Sequence, residues 1–253
     1  MKLIIISLIL SLFQPVMSAN LARELRMASE IVDAILDGDP EMLEVDGYEF
    51  LSIYTEAEEQ AKGAVIIMHG RGFHPDWADA IQPLRVGLAE SGWNTLSLQM
   101  PVLDKTAKYY DYEPVFPEAI PRIESAVRFL KEAGAKKIII IAHSCGAHMA
   151  MEYVRQKGDD AFDAYVGIGM GATDYKQPMK QPFPLEKIAK PILDIYGSDD
   201  YPAVHRLAPK RLSQMKDAGN EKSKQVKIED ANHYFTDQGE PLLEVVSEWL
   251  DTL

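Results

Sequence analysis

Apolar residues along this chain fall into two rhythms. The first is short and unbroken. Ala64 to Met68 reads AVIIM, Lys137 to Ala142 holds four consecutive Ile, and Ala164 to Ile168 and Ile192 to Tyr196 are similarly apolar. Runs without polar alternation mark strands buried on both faces of a parallel sheet. Phe50 to Tyr54, Thr95 to Leu98 and Gln225 to Ile228 predict further strands. The second rhythm has helical spacing: Trp77, Ile81, Leu84 and Leu88, then Ile120, Ile123, Val127 and Leu130, then Leu242, Val245, Val246 and Trp249. Asp76 stands where it would cap the first of these helices. Leu21 to Leu36 predicts a polar helical lead-in, followed by the acidic turn Asp37-Gly38-Asp39-Pro40, and Glu56 to Gly63 a polar loop. Cys145 to Gln156 predicts a helix, and Leu207 to Met215 lies within another. Strands alternating with helices predict an α/β fold: a mostly parallel sheet with helices on both faces. No Pro- or Ser-rich linker and no repeat interrupts the alternation, so one domain is expected.

The first nineteen residues stand outside that pattern. Lys2 is followed by an apolar run from Leu3 to Phe13, then Pro15, then the small residues Ser18 and Ala19. That is the three-part layout of a secretory signal peptide, and the run is too short to span a bilayer. Cleavage after Ser18 or after Ala19 fits. The expectation is a leader over residues 1–19, a single domain over 20–253, and a periplasmic or secreted product with no stable membrane span.

Composition narrows the partners. The 253 residues carry 26 Lys plus Arg against 39 Asp plus Glu, a formal charge of -13. Phosphate binding needs clustered basic residues, so nucleic acid is not expected, and an anionic membrane surface is disfavoured. Loss of Lys2 with the leader makes the mature chain one unit more acidic. This charge leans weakly toward neutral or cationic substrates. A single Cys cannot form an internal disulfide. No H-E-x-x-H and no Cys/His ligand spacing is present, so neither a metal nor a cofactor is expected.

Candidate chemistry lies where the strongest strand meets a helix, at Ala142-His143-Ser144-Cys145-Gly146. A Ser raised on a sharp strand-to-helix turn needs small residues two before and two after it, here Ala142 and Gly146. Placing Cys145 at the apex would put His143 in a small-residue position, so the register favours Ser144, with Cys145 as apolar filler. The strand over Ile192 to Tyr196 runs into Gly197-Ser198-Asp199-Asp200. Either Asp could orient an imidazole; Asp200, three residues past the Gly, is preferred. His233 follows the last strand, at the sheet edge where sites in open parallel sheets form. His143 and His148 flank the turn as packing residues, and His205 reads as a surface helix residue. A Gly-rich loop, Met68-His69-Gly70-Arg71-Gly72-Phe73-His74, follows a buried strand. The backbone N–H groups of Arg71 and Cys145 are the expected oxyanion donors. His74 is a candidate substrate contact, and Tyr109 and Tyr110, in the loop from Met100 to Phe116, are candidates for an aromatic wall.

From about Phe50 onward these pieces resemble the α/β-hydrolase superfamily. The stretch HGRGFHPDWADAIQPLRVGLAESGWNTLSLQMP is similar to an uncharacterised branch of exported bacterial proteins within it. The resemblance implies an eight-stranded, doubly wound, mostly parallel sheet. It implies Ser144 as nucleophile, His233 as base and then acid, Asp200 as its orienter, and no cofactor. Ala142 departs from the Gly usual in the elbow. About twenty residues, Gly169 to Lys190, are too few for a large lid. The activity implied is a serine esterase acting on a small-molecule acyl substrate through an acyl-enzyme. The same triad serves peptidases and acyltransferases, and the same scaffold serves non-catalytic binding proteins.

Overall fold

The structure is a computed structural model that describes residues 18–253, so nearly all of the expected leader lies outside the described residues. The chain enters through helix α1 (Leu21–Ile31) and a hairpin of β1 (Asp39–Val45) and β2 (Tyr48–Thr55). Then β3 (Ala64–Met68), α2 (Ile81–Glu90) and β4 (Asn94–Leu98) follow. A short helix α3 (Tyr109–Tyr112) leads into α4 (Ala119–Glu132), β5 (Ile138–His143), α5 (Cys145–Lys157) and β6 (Ala164–Ile168). The remaining elements are β7 (Ile192–Asp199), α6 (Pro202–Asp217), β8 (Lys224–Asn232) and α7 (Gly239–Leu250). The eight strands form one sheet in the order β1-β2-β4-β3-β5-β6-β7-β8. β2 is antiparallel to both of its neighbours, and all pairs from β4 through β8 are parallel.

The unbroken apolar runs explain the two layers of helices. Successive strand residues point to opposite faces. Ile66, Met68, Ile140 and Ala142 therefore pack with α4 and α5 residues such as Ile123, Ala126 and Met149. Val65, Ile67, Ile139 and Ile141 pack on the other face with Leu84 and Leu88 of α2 and Leu242 and Val246 of α7. Between β6 and β7 the described chain holds only one short 3-10 turn, Leu185–Lys187, and no lid domain. Among the described residues no helix is long and apolar enough to cross a membrane.

Four local expectations are corrected. Asp39 and Pro40 begin β1 instead of ending a turn. The turn lies at Asp46-Gly47, where both residues have positive φ (48° and 83°), as a two-residue hairpin loop requires. Asp76 does not cap α2, whose first turn follows Ala80. Its carboxylate is taken instead by the fully buried guanidinium of Arg85 at 2.6 Å. β8 continues past Ile228 to Asn232, so His233 follows the strand directly. The segment read as a loop from Met100 to Phe116 contains α3 and the start of a 3-10 turn, Glu113–Glu118.

Candidate active site

Ser144 sits between β5 and α5 with φ 52° and ψ -113°, a backbone conformation that a residue with a Cβ adopts only under constraint. The constraint comes from close packing on both sides. Ala142 is fully buried against β3. A Cβ on Gly146 would lie 2.6 Å from the Met68 carbonyl oxygen and 2.7 Å from that of His69. The two small residues thus let the turn press against the strand that carries the Gly-rich loop.

His233 brings the loops after three strands together. Its Nδ1 lies 2.7 Å from Asp200 Oδ1, and its Nε2 lies 2.8 Å from Ser144 Oγ. With Asp200 ionised, Nδ1–H donates to the carboxylate, leaving Nε2 to accept from the Ser144 hydroxyl. Both His233 and Asp200 are buried. Asp199 is exposed, and among the described residues its carboxylate meets only Ser198 Oγ, at 3.4 Å. Asp200 Oδ1 also accepts from the Tyr201 backbone N–H at 2.6 Å. The Tyr201 ring stacks on His233 at 4.4 Å, and its hydroxyl bonds that of Tyr234 at 2.7 Å. His143 is fully buried, and its Nε2–H donates to the His233 carbonyl at 2.9 Å. Burial drives its pKa down to about 3, so it stays neutral and holds the His233 backbone without adding charge.

The Gly-rich loop is held in a similar way. His69 Nδ1–H donates to the Gly70 carbonyl at 2.7 Å, while its Nε2 accepts from the Met100 N–H at 2.9 Å. In a trans peptide the N–H points opposite to the C=O, so fixing Gly70 O aims the Arg71 N–H away from His69. Neither that N–H nor the Cys145 N–H donates to a protein acceptor among the described residues. Cys145 opens α5, where backbone donors have no intrahelical partner. Its thiol is buried and pushed up to about 12 by desolvation, which suits packing and not nucleophilic chemistry.

A cavity of about 670 Å³ opens over Ser144 and His233. Arg71, Cys145 and Tyr109 line it. The Arg71 guanidinium holds Asp174 through two contacts, 2.5 and 3.3 Å. The same carboxylate accepts from the Tyr109 N–H at 2.6 Å, which fixes the aromatic wall. Tyr110 lies behind the lining: its N–H donates to Gln177 Oε1 and Lys180 sits over its ring. His74 does not line the cavity either; its Nδ1 accepts from the Asp76 N–H at 3.3 Å, and Phe73 takes the place expected for it. Tyr201, Tyr234 and the segment 172–178 complete the walls, and none was singled out from sequence. The two tyrosines each directly follow a triad candidate, which was the available signal. Arg206 and Lys176 add exposed cations at the cavity. The local lining is therefore basic although the chain is acidic. Among the described residues no group of three or more His, Cys, Asp or Glu is placed to hold a metal ion.

Known structures share this architecture at low identity. Est1E from Butyrivibrio proteoclasticus matches with a TM-score of 0.64 and 16% identity, over 85% of this chain and 98% of that one. An alpha-beta serine hydrolase homologue from Coxiella burnetii matches at 0.62 and 15%, over 87% and 99%. XC6422 from Xanthomonas campestris, a serine hydrolase without lid, matches at 0.63 and 12%, over 86% and 95%. At these identities the likeness establishes the α/β-hydrolase fold and nothing finer. No curated protein matches the chain. The family described as "Protein of unknown function (DUF3530)" matches residues 14–121 and 116–252. The chain belongs to that family, on an α/β-hydrolase fold.

Proposed function

We propose that this protein is an exported serine hydrolase, a single domain after removal of its leader, that cleaves carboxylic esters or related acyl bonds. The observation that carries the reading is the unbroken chain from Ser144 Oγ through His233 to Asp200, with links of 2.8 and 2.7 Å. Ser144 Oγ attacks the carbonyl carbon while His233 Nε2 takes its proton. The N–H groups of Arg71 and Cys145 receive the oxyanion, a role in which one donor is worth ~10²–10³ in rate. His233 then protonates the leaving alcohol. Water, deprotonated by the same nitrogen, releases the acid from the acyl-Ser144.

The cavity supports a substrate with an aromatic or acyl group beside the ester. Phe73, Tyr109 and Tyr201 supply flat apolar surface, and Arg206 and Lys176 favour an anionic substituent away from the reacting carbonyl. Est1E has been solved with ferulic acid bound, which makes hydroxycinnamoyl esters a sensible probe. The test is turnover of a panel of p-nitrophenyl, hydroxycinnamoyl and hemisuccinate esters by wild type, Ser144→Ala and His233→Ala. Turnover by wild type alone is expected. No turnover by wild type, or equal turnover by Ser144→Ala, overturns the reading.

A further inference from the structure

The first described residues are built into the body of the fold. Ala19 is 9% exposed and packs in the main core cluster, whereas Ser18 is exposed. The Ala19 backbone nitrogen lies 3.1 and 3.3 Å from the two carboxylate oxygens of Glu118, just before α4. An amide has one hydrogen and can only split it between two oxygens. An ammonium has three, and a carboxylate that offers both oxygens to one nitrogen is the partner an ammonium takes. The charged groups facing this nitrogen are unbalanced. Glu118 holds it directly and its charge acts on Glu24 of α1, while Asp104 (bonded to Asn20 Nδ2 at 2.9 Å) and Asp111 line the same surface hollow as Ala19. Arg122 is paired with Glu24 at 2.8 Å, and the Arg23 guanidinium is turned to the Leu103 and Gly72 carbonyls. Burial pushes the Glu24 carboxyl up against the pull of Arg122, and the nearby Glu118 charge adds to the rise.

We infer that the chain is cut between Ser18 and Ala19, and that the α-ammonium freed on Ala19 forms an ion pair with Glu118. A leader peptidase hydrolyses the Ser18–Ala19 bond with one water. This leaves the Ser18 carboxylate and the Ala19 amine, which is protonated at neutral pH, its usual pKa being about 8. Cutting one residue later would discard a core residue. It would also place the ammonium on Asn20, whose N–H faces the Val102 carbonyl at 2.7 Å. Asn20 caps α1, accepting from the Arg23 N–H at 3.0 Å, and the positive end of a helix repels a cation. The anchored helix reaches the active site, because Arg23 donates to the Leu103 carbonyl and, at 3.2 Å, to that of Gly72 in the Gly-rich loop.

The inference rests on the proposed export of the chain and not on its hydrolase activity, since both readouts work on an inactive protein. Intact mass of the full chain recovered from the exported fraction is expected to begin at Ala19. A mass beginning at Asn20 or at Met1 overturns the cut. The second readout is the Tm of the mature chain and of its Glu118→Gln variant across pH. The ammonium's folded pKa lies above its unfolded value, so its stabilisation is complete below about pH 8 and is lost as pH rises through the folded value. Glu118→Gln is expected to melt about 2–4 °C lower at pH 7. That gap should close by about pH 10, and should not respond to pH in a chain that keeps Met17 and Ser18 ahead of Ala19. A gap in the mature chain that is the same at pH 7 and pH 10 refutes the ion pair.

Discussion

Replacing Asp200 with Asn tests its proposed role as the orienting carboxylate, and the structure sets how large the loss should be. In such a variant the side chain could turn either way. If its NH₂ faced His233, Nδ1 would have to accept, Nε2 would carry the proton, and the base would be lost, a defect of ~10⁴ in rate. Here the Tyr201 N–H bonds the same oxygen that His233 Nδ1 meets, at 2.6 Å. That donor keeps an oxygen in place and so preserves the tautomer. What disappears is the charge that stabilises the imidazolium. At an effective dielectric of about 20 and a charge separation of about 4 Å, that is roughly 4 kcal/mol, or ~10³ in kcat. The new NH₂ would occupy the Oδ2 position, which has no protein partner among the described residues, and should cost a further ~1–3 kcal/mol of stability. The assay is kcat and kcat/KM for a p-nitrophenyl ester, with Asp199→Asn as control. Asp199 is exposed, and its variant should stay within about tenfold of wild type. A loss below tenfold in Asp200→Asn, or a larger loss in Asp199→Asn, would refute the assignment.

Other consequences follow from packing and burial. Gly146→Ala places a Cβ against two backbone oxygens that cannot move aside, so it should cost about 1–3 kcal/mol, read as a Tm lower by ~2–4 °C per kcal/mol; an unchanged Tm would show that the turn has slack. His69, His143 and His148 are each pushed by burial to a pKa of about 3. Their folded values lie below the unfolded 6.5, so the stability they confer is complete above pH 6.5 and is lost as pH falls toward 3, at about 1.4 kcal/mol per pH unit for each. His148→Phe keeps an aromatic ring beside Phe116 and should flatten the acid limb of a denaturation-midpoint profile by one such increment; an identical slope would contradict the burial argument. Arg211, buried and bonded to Asp194 at 2.8 Å, should cost about 3–5 kcal/mol when changed to Ala, because the carboxylate is left buried and unpaired; calorimetry showing under 1 kcal/mol would contradict this.

What could be read from the sequence follows from how strongly each element is determined locally. The strands β3, β5 and β6 are buried on both faces, so their composition alone marks them. β1 is an edge strand with an exposed, mixed pattern, and its first two residues, Asp39 and Pro40, read as part of a turn. The hairpin's own signal, Asp46-Gly47, was present but lay between segments of weak periodicity. Asp76 looked like a cap because capping is a local property, whereas its actual partner, Arg85, is set by tertiary packing. The triad candidates could be read because each follows a strand in a fixed order. The cavity walls could not: Tyr201, Tyr234, Arg206 and the segment 172–178 meet only when the loops after β3, β5, β6, β7 and β8 converge. Net charge does not describe the site for the same reason, since -13 over the whole chain coexists with Arg71, Lys176 and Arg206 against Asp174 at the cavity.

The central claim is that Ser144 is a nucleophile activated by His233. Treating the mature protein with a fluorophosphonate and locating the adduct by peptide mass spectrometry tests it most directly. The account predicts one adduct, on the peptide containing Ser144, that is lost in Ser144→Ala and strongly slowed in His233→Ala. An adduct on another residue, undiminished labelling of Ser144→Ala, or no labelling of the folded wild type would contradict it.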